Sequence, residues 1–390
     1  MITAFVDMVG LLMVIPLLPF YAVELGGAGM IVGVLVSSYA VAQLLSAPLW
    51  GRVSDRYGRR PALLIGLGFA AVAYVIFSYA GSILALLLSR LVQGAGGGTT
   101  GVIQAYVADT TEPENRARSL GWISAATNLG VAIGPVLGSL TYTFGREVPG
   151  LCAAALCLLN MLFAWRFLRE SHDTAAARAE GVKIRRSREA VLGVVANSGD
   201  PASRLIWIYA LAMGAFQGMT TVLALFLAFR FDVTEESIGY FFMYIGAISV
   251  LTRAAILGPL VDRLGEVRLS RLGIVLLAAG LTLIPLTHEY FTLAVAVALV
   301  PLGTAFTFPC ITALFSKVVS RHERGLYMGV QQTFGGLARV LGPLWAGWAY
   351  DNLGVGIPFW TGAILVAGTL LLGTGMEQFT RQEPATPMPA

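Results

Sequence analysis

The chain has 390 residues, of which 56% are hydrophobic and only 12% charged, and its formal net charge is +4. Globular proteins average about a quarter charged residues, so this composition excludes an ordinary soluble chain of two or three domains. The apolar residues also gather in runs of about 20, the length that crosses a bilayer.

In chain order, apolar runs between polar breaks predict spans over 2–22, 30–50, 61–80, 83–107, 119–141 and 148–167. A second set follows over 204–229, 236–257, 269–287, 291–316, 326–350 and 357–376. Between the sets lies the one long polar stretch, 168–203, rich in Ala, Arg and Glu. The expectation is an all-α membrane protein of twelve transmembrane helices in two pseudo-symmetric six-helix halves. Residues 1–167 would form the N-terminal half, 168–203 a cytoplasmic linker, 204–376 the C-terminal half and 377–390 a cytoplasmic tail. The first run lacks a basic n-region and an A-x-A site, so it reads as a span and not a cleaved signal.

The basic residues set the orientation. Arg52, Arg56, Arg59 and Arg60 follow the second span, Arg116 and Arg118 the fourth, and the polar linker the sixth. Arg263 and Arg268 follow the eighth, and Lys317, Arg321 and Arg324 the tenth, whereas the opposite side carries Arg146 and Arg230. Basic loops stay on the cytoplasmic side, so both termini and the linker are expected there. The Arg-heavy, Ala-rich usage points to a high-GC bacterium and hence to its inner membrane.

The chain repeats itself. Gly51-Arg52-Val53-Ser54-Asp55-Arg56-Tyr57-Gly58 is echoed by Gly258-Pro259-Leu260-Val261-Asp262-Arg263-Leu264-Gly265, and Arg116, Gly121 and Gly134-Pro135 are echoed by Arg324, Gly329 and Gly342-Pro343. Such parallel repeats place a binding cavity between the halves near the bilayer midplane.

Cys152, Cys157 and Cys310 lie in apolar runs and read as small buried residues. His172, His288 and His322 are scattered through connecting segments, so no metal site is expected. Gly96-Gly97-Gly98-Thr99-Thr100-Gly101 fits G-x-G-x-x-G, but it lies inside an apolar run and not after a strand, so it is read as helix packing. No P-loop, nucleophile–base pair or cofactor motif is visible. An enzyme and an ATP-driven pump are therefore disfavoured, and neither a cofactor nor nucleic acid is expected.

Four segments carry a family likeness. Gly51-Arg52-Val53-Ser54-Asp55-Arg56-Tyr57-Gly58-Arg59-Arg60-Pro61 resembles the loop-two/three signature of the major facilitator superfamily. Leu88-Ser89-Arg90-Leu91-Val92-Gln93-Gly94-Ala95-Gly96 looks like the span-four motif of its proton-coupled members. Gly130-Val131-Ala132-Ile133-Gly134-Pro135-Val136-Leu137-Gly138 looks like the span-five motif of its antiporters. Asp7 with Gly10, Pro16 and Pro19 resembles the first span of the tetracycline-efflux type. The resemblance implies a twelve-span drug:proton antiporter of the inner membrane, working as a monomer with protons and a small molecule as its partners. It implies gating roles for Gly51, Asp55, Arg56, Gly58, Arg59, Arg60, Gly130, Gly134, Pro135, Gly138, Asp262 and Arg263, and proton coupling through Asp7 and Arg90.

Independently of the likeness, an ionisable residue inside a span costs several kcal/mol and marks function. Asp7, Arg90, Arg253 and Arg339 are the four. An arginine keeps its proton, so Arg90 is expected to organise water or a neighbour while Asp7 carries the proton. Tyr39, Gln43, Asn128, Gln217, Arg253, Gln332 and Arg339 are the expected substrate-facing set. Arg90, Gln93, Gly97, Gly101 and Gln104 are expected on one face of a continuous helix. Three buried arginines against one carboxylate leave a second reading open, an organic anion or metabolite bound by Arg253 and Arg339. A membrane scaffold that transports nothing is the less favoured third.

Overall fold

The structure is a computed structural model that describes residues 1–168, 170–171, 185–197, 199–319 and 323–375. The tail expected over 377–390, most of the linker, His172, Arg321 and His322 lie outside the described residues.

Helix α1 (Ile2–Val14) stops before Pro16, which has no N–H to donate, and α2 (Leu18–Glu24) restarts with Pro19 in its first turn. The first span is thus two helices. α3 (Gly29–Tyr57) runs well past the expected end of the second span, and α4 (Arg59–Ser78) begins after a single intervening residue. The turn between them is Gly58 alone, at φ +105°. Gly51, expected in that turn, is instead helical.

The fourth span is also broken. α5 (Ile83–Gly96) and α6 (Thr99–Thr110) are separated at Gly97–Gly98. The expected single face from Arg90 to Gln104 is therefore divided between two helices. α7 (Pro113–Tyr142) and α8 (Val148–Phe167) complete the first six spans. The linker carries a short helix, α9 (Arg185–Ala196), where only a polar connection was expected.

α10 (Pro201–Phe231) and α11 (Glu235–Leu251) follow, the latter with Glu235 and Glu236 placed favourably at its positive end. A π-helical turn, Thr252–Ile256, leads into α12 (Leu257–Leu283). Gly265, at φ +74°, kinks α12 and divides the eighth span from the ninth. α13 (Tyr290–Val318) contains Pro301 and Pro309, and α14 (Arg324–Asn352) and α15 (Ile357–Leu372) close the order. Among the described residues, eight helical stretches are long and apolar enough to cross a membrane, and one of them, Glu235–Leu286, is two spans joined. Large apolar side chains point outward, Leu84, Phe291, Ile364 and Leu371 among them. In water such exposure would be unfavourable; against lipid it is not.

The helices form two compact units. The first comprises Met1–Val182, Gly218–Val250 and Pro343–Pro358. Within it α1 packs on α7 and α8, and α4 on α5 and α8. Gly130, Gly134 and Gly138 face α1, where a Cβ at Gly130 would lie 2.8 Å from Phe5 O and one at Gly134 2.8 Å from Leu12 Cβ. The adjoining face of α7 meets α11, with Ala132 beside Gly246 and Pro135 and Ser139 beside Gly239. Ser139 Oγ donates to Glu235 O at 2.6 Å and accepts from Gly239 N at 2.9 Å. At the start of α3, both oxygens of Asp351 accept backbone N–H groups, from Gly29 at 2.8 Å and Met30 at 2.7 Å.

The second unit comprises Lys183–Gln217, Leu251–Gly342 and Phe359–Ala390. Its centre is α12 against α13, where Gly273 and Gly303 bring the backbones together. Trp207 packs on Phe334 and Tyr209 on Phe308, with ring centroids 5.2 and 5.3 Å apart.

Candidate functional site

Asp7 sits midway along α1, in a cavity lined by Tyr39 and Gln43 of α3, Tyr74 of α4, Gln93 of α5 and Thr99 of α6. Thr99 Oγ1 donates to Asp7 Oδ2 at 3.4 Å. Gln93 Nε2 donates to Tyr74 Oη at 2.8 Å, and Gln43 Nε2 lies 3.3 Å from Tyr39 Oη and 3.0 Å from Gly97 O. Three of the expected residues, Asp7, Tyr39 and Gln43, are therefore neighbours. Tyr74, Gln93 and Thr99 join them unannounced by the site reading, although Gln93 already stood in the polar stripe of the fourth span. A carboxylate ringed by hydroxyls and amides can exchange a proton while its neighbours keep theirs.

Arg90 is 2% exposed. Its Nη2 lies 3.3 Å from Ser89 Oγ, its guanidinium carbon is 5.5 Å from the Phe77 ring centre, and its Nε has no hydrogen-bond partner among the described residues. No ion pair links it to Asp7 among the described residues. Arg90 thus supplies positive charge near the cavity without neutralising the carboxylate.

At the arginine-rich end, Arg59 is the hub. Its Nη1 donates to Asp55 Oδ1 at 2.6 Å and Ser54 Oγ at 2.8 Å, and its Nε to Asp109 Oδ2 at 3.0 Å. Burial alone would lower the Arg59 pKa, but the bonds to Asp109 and Asp55 outweigh it and raise the value. Arg56 instead lies over its neighbour Tyr57. The anion at the start of α4 is Glu170, which accepts from Arg59 N at 2.8 Å and Arg60 N at 3.1 Å. Glu170, distant in sequence, thus takes the helix start, while Asp55 accepts from the Arg59 side chain. Arg60 Nη2 donates to Trp165 O.

The second repeat is wired differently. Asp262 and Arg263 are exposed. Glu266, at the position repeating Arg59, pairs with Lys317, at the position repeating Asp109, with Nζ–Oε1 2.5 Å. Lys317's hydrogen bond holds the Glu266 carboxyl below its ordinary pKa.

The remaining expected residues are spread out. Asn128 donates to Ser124 O at 2.8 Å within α7. Gln217, Gln332 and Arg339 belong to the second unit, on α10 and α14. Gln332 is exposed, and its neighbour Gln331 is the buried one, 3.5 Å from Thr312 Oγ1. Arg253 lies in the π-helical turn with its Nε buried and unpaired among the described residues. No group of three or more His, Cys, Asp or Glu residues able to hold a metal occurs among the described residues.

The chain matches the family model described as Major Facilitator Superfamily over residues 1–257 and 254–386. It is 29% identical over 364 residues to the tetracycline resistance protein, class G, of Vibrio anguillarum, covering 88% of this chain and 90% of that one. It is 27% identical over 364 residues to multidrug resistance protein 1 of Bacillus subtilis (strain 168), covering 93% and 91%. Among solved structures, the human organic anion transporter MFSD10 (TETRAN) superposes with a TM-score of 0.71 at 25% identity, over 96% of this chain and 97% of that one.

Proposed function

The chain belongs to the major facilitator superfamily and is a multi-pass membrane transporter, not an enzyme, and from that premise we propose that it is a proton-coupled antiporter. Its cargo would be small amphipathic compounds of the multidrug or tetracycline type, exported across a bacterial inner membrane with both termini cytoplasmic. The tetracycline and multidrug resistance proteins among its relatives support that cargo class, and the arginine-rich loops support the orientation.

The observation that carries the reading is Asp7 in a polar cavity, with hydroxyl and amide groups around it and no cation paired to it among the described residues. A paired carboxylate would stay ionised; this one can change state. Proton entry would favour one arrangement of the halves, residues 1–167 and 204–376 joined by the linker 168–203, and substrate the other. Asp55, Arg59 and Arg60 would latch the cytoplasmic side through Asp109 and Glu170, with Asp262 and Arg263 their repeat. Gly58 would form the turn, and Gly51 and Arg56 would shape the same loop. The α7 segment Gly130, Gly134, Pro135 and Gly138 would keep α1 close. Tyr39, Gln43, Asn128, Gln217, Gln332 and Arg339 would face the substrate, and one chain would suffice.

The test is proton flux in liposomes holding the full chain, challenged with tetracycline and with ethidium. Asp7→Asn should abolish proton movement driven by either compound. Unchanged coupling in that variant would sink the assignment.

A second reading has its own observation. Arg253 keeps a buried, unpaired Nε, which suits an organic anion or metabolite as cargo. Arg253→Gln and Arg339→Gln should then abolish anion-driven flux while leaving a cationic drug unaffected.

A further inference from the structure

The fourth span is interrupted in a specific way. In an unbroken helix the N–H groups of residues 98, 99 and 101 would donate to the carbonyls of residues 94, 95 and 97. Here those three carbonyls accept from side chains of α3. Ser46 Oγ reaches Gly94 O at 3.1 Å, Trp50 Nε1 reaches Ala95 O at 2.5 Å and Gln43 Nε2 reaches Gly97 O at 3.0 Å. Residues 43, 46 and 50 are spaced i, i+3 and i+7, so they lie on one face of α3. The fit is close: a Cβ on Gly98 would lie 2.5 Å from the Trp50 ring. Gly94 O also accepts Gly97 N at 2.9 Å, a tighter turn that ends α5 and leaves the first backbone donors of α6 free of it.

These donors begin beside Asp7. Gly96, Gly97 and Thr99 line the cavity that holds it, and the Thr99 hydroxyl completes the helix start by donating to Asp7 Oδ2. A helix N-terminus favours an anion, and broken membrane helices use their inner N-termini in this way. A second observation points into the same cavity. Gln93 is 4% exposed and its Oε1 has no hydrogen-bond partner among the described residues. It is an acceptor placed for a group that carries a proton only part of the time.

We propose that Gln43, Ser46 and Trp50 are positioning residues that hold the fourth span open, so that the start of α6, completed by Thr99, seats the ionised Asp7 carboxylate. Gln43 thereby serves the proton site as well as the substrate-facing set. The inference rests on Asp7 as the proton carrier. Among the described residues, the other titratable or charged groups are Tyr74 and Cys157, which interact with Asp7, and Tyr39 and Arg90, which interact with Tyr74. α7 meets α1 through glycines, which carry none.

The test is an infrared pH titration of the full chain in phosphatidylethanolamine–phosphatidylglycerol liposomes. The Asp7 signal is isolated by subtracting the Asp7→Asn form of each variant. Thr99→Val and Trp50→Phe each remove a donor that favours the ionised form directly or through the break, so the midpoint should rise by about half a pH unit, a threefold change in proton affinity. Thr99→Ser should restore the original midpoint, and Ser46→Ala gives the same reading where Trp50→Phe does not fold. An unmoved midpoint in Thr99→Val and both α3 variants overturns the proposal. Proton-driven transport persisting in Asp7→Asn would overturn the coupling role instead, and the infrared midpoint would still report on the seat.

Discussion

Lys317 Nζ lies 2.5 Å from Glu266 Oε1, and this pair occupies the repeat positions of Asp109 and Arg59 with the charges exchanged. The first repeat places the cation at the start of α4 and the anion at the end of α6. The second places the anion after the Gly265 kink and the cation at the end of α13. Geometry is kept while sign is reversed, because a brace between two helix ends needs opposite charges and not a particular order. Glu266→Lys should weaken the α12–α13 end through repulsion, and adding Lys317→Glu should recover it, read as thermal unfolding temperature.

The same pair predicts an acid response. The native Glu266 pKa is held down by Lys317, so the unfolded chain takes up its proton first on acidification. The pair's contribution is complete above the ordinary glutamate range and is lost as pH falls through the lowered native value. Lys317 is half exposed, so the effect is small, about 0.2–1 kcal/mol. Glu266→Gln should be slightly less stable than the parent at pH 7 and indistinguishable from it in strong acid. A difference that persists in acid would locate the effect elsewhere.

Gly58 and Gly265 occupy matching turns at φ +105° and +74°. With ψ near 160° at both, the backbone is in a region that essentially only glycine enters, at about 1–3 kcal/mol for other residues. Alanine should therefore destabilise both positions. Gly58→Ala should cost more, because its Cβ would meet the Glu170 carboxylate that caps α4, whereas nothing lies within 4 Å at Gly265. Equal losses in thermal unfolding would show that the Glu170 cap contributes nothing.

Asp351 accepts from both Gly29 N and Met30 N, tying the end of α14 to the start of α3. Asp351→Ala removes both bonds, a change of about 1 kcal/mol for a helix-start acceptor. In a background lacking Cys152, Cys157 and Cys310, a cysteine at Met30 should react with an impermeant thiol reagent about fivefold faster in that variant. An unchanged rate would mean that this contact does not hold the end closed.

Gly138 and Gly51 should diverge although both belong to signature segments. A Cβ at Gly138 would press on Met13 O in α1, and overpacking of this kind costs about 1–3 kcal/mol. At Gly51, helical with open space around it, alanine should be neutral or stabilising by about 0.5–1 kcal/mol. Unfolding temperatures of Gly138→Ala and Gly51→Ala decide the point.

Hydropathy, repeat and charge placement were written along the chain, because the bilayer imposes its demands locally: about 20 apolar residues per span and basic loops on one side. The spans, the repeat and the carboxylate in the first span were therefore legible in the sequence, Asp7 because an ion in lipid stands out against its neighbours. What surrounds Asp7 was not. The partners of a buried group come from helices distant in sequence, and Thr99 and Tyr74 read as ordinary span residues until packing brought them to the cavity. The break at Gly97–Gly98 was hidden for the same reason. A glycine-rich run continues a helix or interrupts it according to what competes for its carbonyls, and here three α3 side chains do so. Glu170 at the start of α4 and Glu266 beside Lys317 were likewise settled by tertiary structure, since a charge acquires a partner only where the folded chain places an opposite one.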